Sequence, residues 1–286
     1  MLRDLIAAGP VAIDGGLASE LEARGHDLSG ELWSARILRD APEEIIAVHR
    51  AYLEAGARVV TSASYQASRV GLGDDADALL SLSVALAREA VADTDALVAA
   101  SVGPYGAVLG DGSEYRGNYE ISRTQLAAFH AQRLDVLLDA APDLLAIETI
   151  PDLVEAQVLA ELLIERGRPS AWISFSANSD TTVCAGQSFA EAAMVAAEVA
   201  TAVGVNCTAP EYVSALISNV PVEIPVVVYP NAGQVWDGAA EMWRGEPTFN
   251  LELVDQWATR ANLIGGCCGI GPDGIGAMAR RLQPST

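Results

Sequence analysis

Short, almost continuously apolar runs alternate along the chain with longer stretches in which apolar residues recur every three or four positions. The short runs lack the apolar–polar alternation of a half-exposed sheet, which is typical of parallel strands buried on both faces. The longer stretches have the periodicity of helices that cover such a sheet. The pattern predicts strands at Val11–Ile13, Arg58–Thr61, Leu97–Ser101, Leu144–Ile147, Ala171–Phe175, Ala202–Val205, Val226–Tyr229 and Asn262–Ile264.

Capping residues mark where several of the predicted helices begin and end. Ser122 and Gln125 form a capping-box pattern, Gly56 fits a helix C-terminus, and Pro272 fits the first turn of a last helix that ends near Leu282. The predicted helices are Pro42–Ala55, Asp75–Ala92, one after Ser122, Leu153–Arg166, Phe189–Thr201, Tyr212–Ile217, Leu251–Ala258 and the one that Pro272 opens.

Eight successive strand–helix units without a change in composition predict an α/β fold, a single (β/α)8 TIM barrel that occupies residues 1–286 as one domain. The alternative is an open, doubly wound sheet. That fold normally carries a G-x-G-x-x-G loop after its first strand. Here the first strand is followed by Asp14-Gly15-Gly16-Leu17, which does not match, so the barrel is favoured.

Composition narrows the classes of partner. Hydrophobic residues make up 51% of the chain and charged residues 19%, so a large core is expected. The formal net charge of −21 repels phosphate backbones and anionic lipid, which makes nucleic acid and membrane surfaces poor partners. Residues 1–10 do not resemble a secretory signal, and no apolar run reaches the length of a membrane span. A cytoplasmic protein is therefore expected.

Polar residues stand where several predicted strands end, which in a barrel is the face that carries the active site. The cysteines are the most informative of them. Cys207 follows the sixth strand, and Cys267 and Cys268 follow the eighth, so all three should meet at one rim. Cys184 and the histidines His26, His49 and His130 lie away from strand ends and are not expected to be ligands.

Three thiolates at one rim favour a Zn²⁺ site with an open fourth position, which is typical of catalytic rather than structural zinc. Adjacent Cys267 and Cys268 can reach one metal only where the backbone turns sharply, and the flanking glycines allow such a turn. Two alternatives remain at this point. The pair could be small buried residues that only pack, or it could form a disulfide between neighbours.

Several segments, taken in order, resemble the homocysteine S-methyltransferases, from about residue 11 to residue 275. The resemblance lies in Asp14-Gly15-Gly16-Leu17-Ala18, Leu32-Trp33-Ser34-Ala35, Ser64-Tyr65-Gln66-Ala67, Ser101-Val102-Gly103-Pro104-Tyr105-Gly106, Asp111-Gly112-Ser113-Glu114-Tyr115, Gly204-Val205-Asn206-Cys207, Val228-Tyr229-Pro230-Asn231 and Gly265-Gly266-Cys267-Cys268-Gly269. One departure is Ile270-Gly271, where the family usually has a polar residue.

The resemblance implies a (β/α)8 barrel that binds one Zn²⁺ per chain through Cys207, Cys267 and Cys268. It also implies methyl transfer to the thiol of homocysteine from a sulfonium donor. Among the family, the chain looks most like the free-standing enzymes that use S-methylmethionine. S-Adenosylmethionine is a possible second donor.

The resemblance and the positions at strand ends together suggest roles for the remaining candidates. Glu148 would hold the homocysteine ammonium group, and Asp14 would help to hold the amino acid or take its thiol proton, which makes both carboxylates catalytic candidates. The backbone N–H of Gly15 would bind the substrate carboxylate. Trp33 and Tyr65 would contact the sulfonium through their rings. The last substrate-binding candidates, Asn206 and Tyr229, would support these groups.

Other functions stay open at this stage. The same barrel could use betaine as donor, or methylate a selenium analogue of homocysteine. It could be a zinc-binding barrel without catalytic activity, which a fourth protein ligand would favour. It could also be a redox protein that works through Cys267 and Cys268. The sequence does not predict an oligomeric state.

Overall fold

A computed structural model describes residues 1–28, 33–237 and 242–283. In this part of the chain the strands are β1 (Val11–Ala12), β2 (Val59–Thr61), β3 (Leu97–Val102), β4 (Leu144–Ile150), β5 (Ala171–Phe175), β6 (Ala202–Asn206), β7 (Val226–Tyr229), β8 (Val235–Asp237), β9 (Met242–Arg244) and β10 (Leu263–Ile264).

Within the described residues, eight parallel strands form one sheet in the order β1-β10-β7-β6-β5-β4-β3-β2. The two ends of this order meet, because the Arg58 N–H donates to the Ala12 carbonyl (2.8 Å) and the Asp14 N–H to the Val59 carbonyl (3.1 Å). Helices separate successive strands and cover the outside. The predicted (β/α)8 TIM barrel is confirmed.

The helices begin and end close to the predicted positions. Ser122 caps its helix through the Gln125 N–H, and Asp152 caps the next one through the Val154 N–H. The α-helices are α1 (Leu2–Leu5), α2 (Leu17–Ala23), α3 (Trp33–Asp40), α4 (Pro42–Glu54), α5 (Arg69–Leu72), α6 (Ala76–Val91), α7 (Arg123–Asp139), α8 (Leu153–Glu165), α9 (Phe189–Ala197), α10 (Pro210–Ile217), α11 (Glu252–Ala258) and α12 (Pro272–Leu282).

The core has two layers, as a barrel requires. The larger layer lies between the sheet and the helices. The smaller one lies inside the barrel and includes Ile13, Trp172 and Tyr229. Leu2 and Ile6 pack against the same inner cluster, together with residues from the beginnings of strands. The N-terminal segment therefore closes the bottom of the barrel, and the opposite rim remains for chemistry.

One described element was not predicted. The segment 231–249, which lies between the predicted strand Val226–Tyr229 and the predicted helix Leu251–Ala258, contains the antiparallel pair β8–β9. Its residues lack a long alternating pattern, so no antiparallel strand pair is predicted there. Among the described helices, none combines the length and the apolar character needed to cross a bilayer.

Candidate metal and substrate site

Cys207, Cys267 and Cys268 meet at the C-terminal rim of the barrel. Their sulfur atoms all lie within 4.8 Å of one another. The Cys268 Sγ is 3.9 Å from the Cys207 Sγ and 3.9 Å from the Cys267 Sγ. Cys184 is outside this group, in the loop after β5. The structure thus brings together the three residues that the sequence suggested as metal ligands.

Backbone geometry at two strand ends makes this approach possible. Cys207 has a φ of +44°, in the left-handed region that is uncommon for a residue with a side chain. The Cys267 N–H donates to the Pro230 carbonyl (2.8 Å), while the Cys268 carbonyl accepts from Ala232 (2.8 Å). The turn continues through Gly269, with a φ of +80°. These bonds fix the Cys-Cys turn to the end of β7, next to the end of β6.

Two of the three cysteines at this rim are bonded to each other in this structure. Cys207 and Cys267 are joined by a disulfide, and Cys184 and Cys268 are free. The alternative of a disulfide between Cys267 and Cys268 is wrong. Thiols held close enough to share a metal are also close enough to oxidise in pairs, and the turn directs Cys267 towards Cys207 rather than towards its neighbour.

The sulfur positions can be compared with a tetrahedral zinc site. Zinc–sulfur bonds of about 2.3 Å at tetrahedral angles separate the sulfur atoms by roughly 3.8 Å. Both distances from the Cys268 Sγ, at 3.9 Å, fit this geometry. The third distance, between the sulfur atoms of Cys207 and Cys267, fits only after the disulfide between them is reduced. With that disulfide reduced, the three cysteines therefore suit a soft metal ion and leave one coordination position open.

Burial raises the pKa of the Cys268 thiol to about 11, although the Tyr115 hydroxyl bonds to it and acts in the opposite direction. A buried thiol with this pKa is protonated at neutral pH. Only a nearby cation would hold it as a thiolate. Tyr115 was not among the residues suggested from the sequence, because a tyrosine in a loop carries no signal of a sulfur partner.

Glu148 lies in β4 and is buried inside the barrel mouth. The pairing of β4 with β5 is irregular between Ile147 and Ile150, so Glu148 sits at a break in the ladder. The Ser101 hydroxyl donates to Glu148 Oε1 (2.5 Å), and the Tyr229 hydroxyl donates to Oε2 (3.0 Å). Burial raises the pKa of Glu148 to about 7, and the two hydrogen bonds oppose that rise. A cationic ligand would restore its charge at neutral pH.

Tyr229 connects Glu148 to the interior of the barrel. Its hydroxyl accepts from Trp172 Nε1 (2.9 Å) and lies 2.7 Å from the Ser174 Oγ. The rings of Trp172 and Tyr229 pack edge to face, with centroids 6.0 Å apart. Since its single proton is directed at Glu148, Tyr229 orients that carboxylate rather than offering a free group to substrate.

Asn206 also acts through other protein groups. Its side-chain oxygen accepts from the Thr149 N–H (2.7 Å) and the Ser174 Oγ (2.8 Å), and its nitrogen donates to the Thr149 Oγ1 (2.7 Å). Thr149 has a φ of +59°, a strained conformation for a β-branched residue. Asn206 stabilises this conformation, between Glu148 on one strand and Cys207 on another.

Asp14 follows β1 and is also buried. Its Oδ2 accepts from the Thr61 N–H (2.6 Å) and its Oδ1 from the Thr61 hydroxyl (3.0 Å). Burial raises the pKa of Asp14 to about 7, and the negative charge of Glu148 adds to this rise. The carboxylates of Asp14 and Glu148 are therefore close enough for the charge of one to affect the ionisation of the other. Gly15 lies beside Tyr52, whose hydroxyl would be 3.0 Å from an added Cβ, so the backbone there has no room for a side chain.

The two aromatic candidates differ in what can be described. Tyr65 lies after β2, and its hydroxyl bonds to the Thr149 side chain, within the electrostatic range of Glu148 and Cys268. It therefore faces the same site. Trp33 begins α3, but its side chain lies outside the described part of the chain, and its role stays a prediction.

Several residues that hydrogen-bond to the candidate site residues are not predicted from the sequence. Thr61, Ser101, Trp172 and Ser174 each bond to a proposed site residue. Their shared signal is a polar residue, or one with an N–H, within an otherwise apolar strand. The sequence alone does not show which of these side chains points into the barrel.

Comparisons with known proteins agree with this geometry. A family model described as homocysteine S-methyltransferase matches residues 11–282. Homocysteine S-methyltransferase 1 of Zea mays is 42% identical in an alignment that covers 100% of this chain and 99% of that protein. Homocysteine S-methyltransferase of Escherichia coli K12 is 42% identical in an alignment that covers 94% of each.

Solved structures of the homocysteine methyltransferase MmuM from Escherichia coli are also similar. Its metallated form matches with a TM-score of 0.86 at 40% identity, over 98% of this chain and 99% of that one. Its oxidized form matches with a TM-score of 0.87 at 38% identity, over the same shares.

Proposed function

Because this chain belongs to the homocysteine S-methyltransferase family, we propose that it uses a sulfonium methyl donor and one Zn²⁺ per chain, held by Cys207, Cys267 and Cys268. The chain is a methyltransferase, and homocysteine is the acceptor that its family uses. The donor, the metal and the roles of individual residues form the proposal.

The observation that carries the proposal is the cysteine cluster at the same rim as Glu148 and Asp14. Soft sulfur ligands with an open position suit Zn²⁺, and a thiol substrate suits that position. Bound there, Zn²⁺ would lower the pKa of the homocysteine thiol and supply a thiolate at neutral pH. The metal identity and the count of one rest on this ligand set.

The reaction is a direct transfer between two sulfur atoms. The homocysteine sulfur forms a bond to the methyl carbon, and the bond from that carbon to the sulfonium sulfur breaks. The electron pair of the broken bond stays on the donor sulfur, which becomes a neutral thioether. The thiol proton leaves before this step, and Asp14, whose pKa burial raises to about 7, is proposed to accept it. Charge disappears in the transfer, so a site that excludes water favours it.

The remaining residues bind and orient the acceptor. The Glu148 carboxylate would pair with the homocysteine ammonium group, with Ser101 and Tyr229 fixing its position. The Gly15 N–H is proposed to bind the substrate carboxylate. Tyr65 and Trp33 are proposed to contact the donor sulfonium through their rings, at about 0.5–2 kcal/mol each. Asn206 holds the backbone beside Glu148 and acts as a positioning residue.

Among sulfonium donors we favour S-methylmethionine, with S-adenosylmethionine as the second candidate. The chain covers 94% of the free-standing Escherichia coli homocysteine S-methyltransferase, so both are of similar size. We also propose a cytoplasmic location. A reducing compartment keeps Cys207 and Cys267 as thiols, which metal binding requires.

The test is zinc content and methionine formation on the purified, reduced chain. Homocysteine is supplied with S-methylmethionine, S-adenosylmethionine or betaine in parallel. We expect about one zinc per chain, as a single three-cysteine site implies, and the fastest methionine formation from S-methylmethionine. Zinc without transfer from any sulfonium donor would contradict the proposed donor class.

A matched pair of variants tests the ligands. Cys207→Ser should lose both zinc and activity, because a hydroxyl replaces a thiolate in the cluster. Cys184→Ser makes the same atomic change outside the cluster and should retain both. A Cys207→Ser chain that still holds one zinc would remove Cys207 from the ligand set.

A further inference from the structure

Glu114 is a partly buried residue beside the site, and one of its carboxylate oxygens is buried without a hydrogen-bond partner in the described part of the chain. It lies in the short 3-10 turn Ser113–Tyr115, in the segment between β3 and α7. Its Oε2 is out of contact with solvent and has no hydrogen-bond partner among the described residues. Burial raises the pKa of Glu114 to about 7. Such a group is costly unless a ligand or a cation pairs with it.

The arginines nearest to this carboxylate have other partners. Arg116, two positions along the chain, pairs with Asp111 at 3.3 Å, and its charge is the smallest of the influences on the pKa of Glu114. Arg133 is fully buried, and its guanidinium donates to the carbonyls of Gly103 (2.9 Å) and Tyr65 (2.9 Å). The sequence contains no lysine. The negative charge of Glu114 is therefore available to a positive group from outside the protein.

The turn that carries Glu114 is fixed over the strand ends. The Ser176 hydroxyl, just after β5, lies 3.3 Å from the Glu114 carbonyl and 3.4 Å from the Thr149 carbonyl. This places Glu114 close to the residue that follows Glu148. The charge of Glu114 also acts on Tyr65, Tyr115 and Cys268, whose side chains all belong to the site. Glu114 thus lies within electrostatic reach of two tyrosines and of one cysteine of the metal cluster.

Building on the proposed function, we infer that Glu114 is the counter-charge for the sulfonium centre of the methyl donor. A sulfonium has no hydrogen-bonding group, so only negative charge and aromatic faces can recognise it. Here Glu114 supplies the negative charge, and Tyr65 and Tyr115 supply the aromatic faces. The ammonium group of homocysteine has a separate proposed partner in Glu148, on strand β4.

The timing of the charge change decides which kinetic constant responds. The positive charge is complete in the bound donor and fades as the methyl group leaves, so Glu114 stabilises the bound donor more than the transition state. Its loss should raise the donor KM and should not lower kcat at saturating donor, because the bound ground state is destabilised more than the transition state. A role in the metal site or in homocysteine binding would change zinc content or the homocysteine KM instead.

The experiment compares the parent chain with Glu114→Gln and with Glu120→Gln, which removes the same charge at an exposed position in the same segment. Each reduced, zinc-loaded protein is assayed with S-methylmethionine and with dimethylsulfonioacetate, a sulfonium donor that has no ammonium group. For Glu114→Gln we expect the KM of both donors to rise about tenfold or more, the magnitude of one lost charge contact. The homocysteine KM and the zinc content of Glu114→Gln should match those of the parent. Its thermal midpoint should not be lower, because neutralising an unpaired buried charge does not destabilise the fold.

Glu114→Asp provides a second variant that keeps the charge, and its donor KM should lie between those of the parent and Glu114→Gln. Donor KM values within about twofold of the parent in Glu114→Gln would overturn the inference. So would a rise confined to S-methylmethionine, since the carboxylate would then contact the ammonium group. A parent chain that accepts no sulfonium donor would overturn the proposed function and this inference together.

Discussion

Replacing Glu148 by Gln isolates the charge that is proposed to bind the homocysteine ammonium group. The side chains have nearly the same shape. The amide can still accept from one of Ser101 and Tyr229 and donate to the other, because both hydroxyls can reverse their bonds. At its pKa of about 7, Glu148 is already half protonated near neutral pH in the ligand-free protein. The neutral amide should therefore leave the fold intact.

The effect on the acceptor follows from burial. Both carboxylate oxygens are held by protein donors and the residue is 8% exposed, so little water screens the charge. Removing one partner from such a buried charge pair costs about 2–3 kcal/mol at the lower end of measured cases. At 1.4 kcal/mol per factor of ten, the homocysteine KM should rise roughly 30- to 150-fold.

The assay is initial-rate methionine formation at pH 8, with homocysteine varied at saturating S-methylmethionine. Zinc content and the donor KM should match the parent, because neither depends on Glu148. Tyr229→Phe is a graded control, since it keeps the carboxylate charge and removes one of its donors, and it should raise the homocysteine KM less. A homocysteine KM in Glu148→Gln within about threefold of the parent would falsify the assigned role.

Other outcomes follow from the same geometry. Thiol titration of the denatured chain should give two free thiols, Cys184 and Cys268, in the oxidised form and four after reduction. The raised pKa of Glu148 implies that its contribution to stability is full below about pH 4.5 and is lost as pH rises through about 7. The thermal midpoint of the parent should therefore fall relative to Glu148→Gln between pH 5 and pH 8, and a constant difference would contradict the shift. Asn206→Ala leaves the Thr149 N–H without its partner, and should cost about 2 kcal/mol in chemical denaturation and weaken zinc retention.

The architecture could be predicted because buried parallel strands differ so clearly from the helices between them. Ala171–Phe175 and Val226–Tyr229 have the predicted bounds. Two strands run beyond their predicted ends into polar residues: β4 continues past Ile147 through Glu148 and Thr149, and β6 includes Asn206. A polar pair is normally a sign that a strand has ended. Here β4 continues because its polar groups find partners inside the barrel: Glu148 accepts from the Ser101 hydroxyl, and the Thr149 N–H donates to the Asn206 side chain.

The site was predictable only as a set of candidate residues at one rim. Which side chains bond to each other depends on inward or outward orientation, and the irregular pairing of β4 shifts that orientation at Glu148. The oxidation state of the cysteines was not predictable either. A disulfide and a metal site require the same close approach of Cys207 and Cys267, and the sequence is identical in both states.

The pair of hydrogen bonds between Asn206 and Thr149 has a consequence for which thiols can react. It joins the strand end that carries Glu148 directly to the strand end that carries Cys207, across two residues in the left-handed region. The proposed anchor for the amino group and the proposed metal ligand Cys207 are therefore held at a fixed separation. A fixed separation selects for the length of the carbon chain between amine and thiol. We expect cysteine, one methylene shorter than homocysteine, to be a much poorer methyl acceptor, and comparing the two thiols in the methyl-transfer assay checks this.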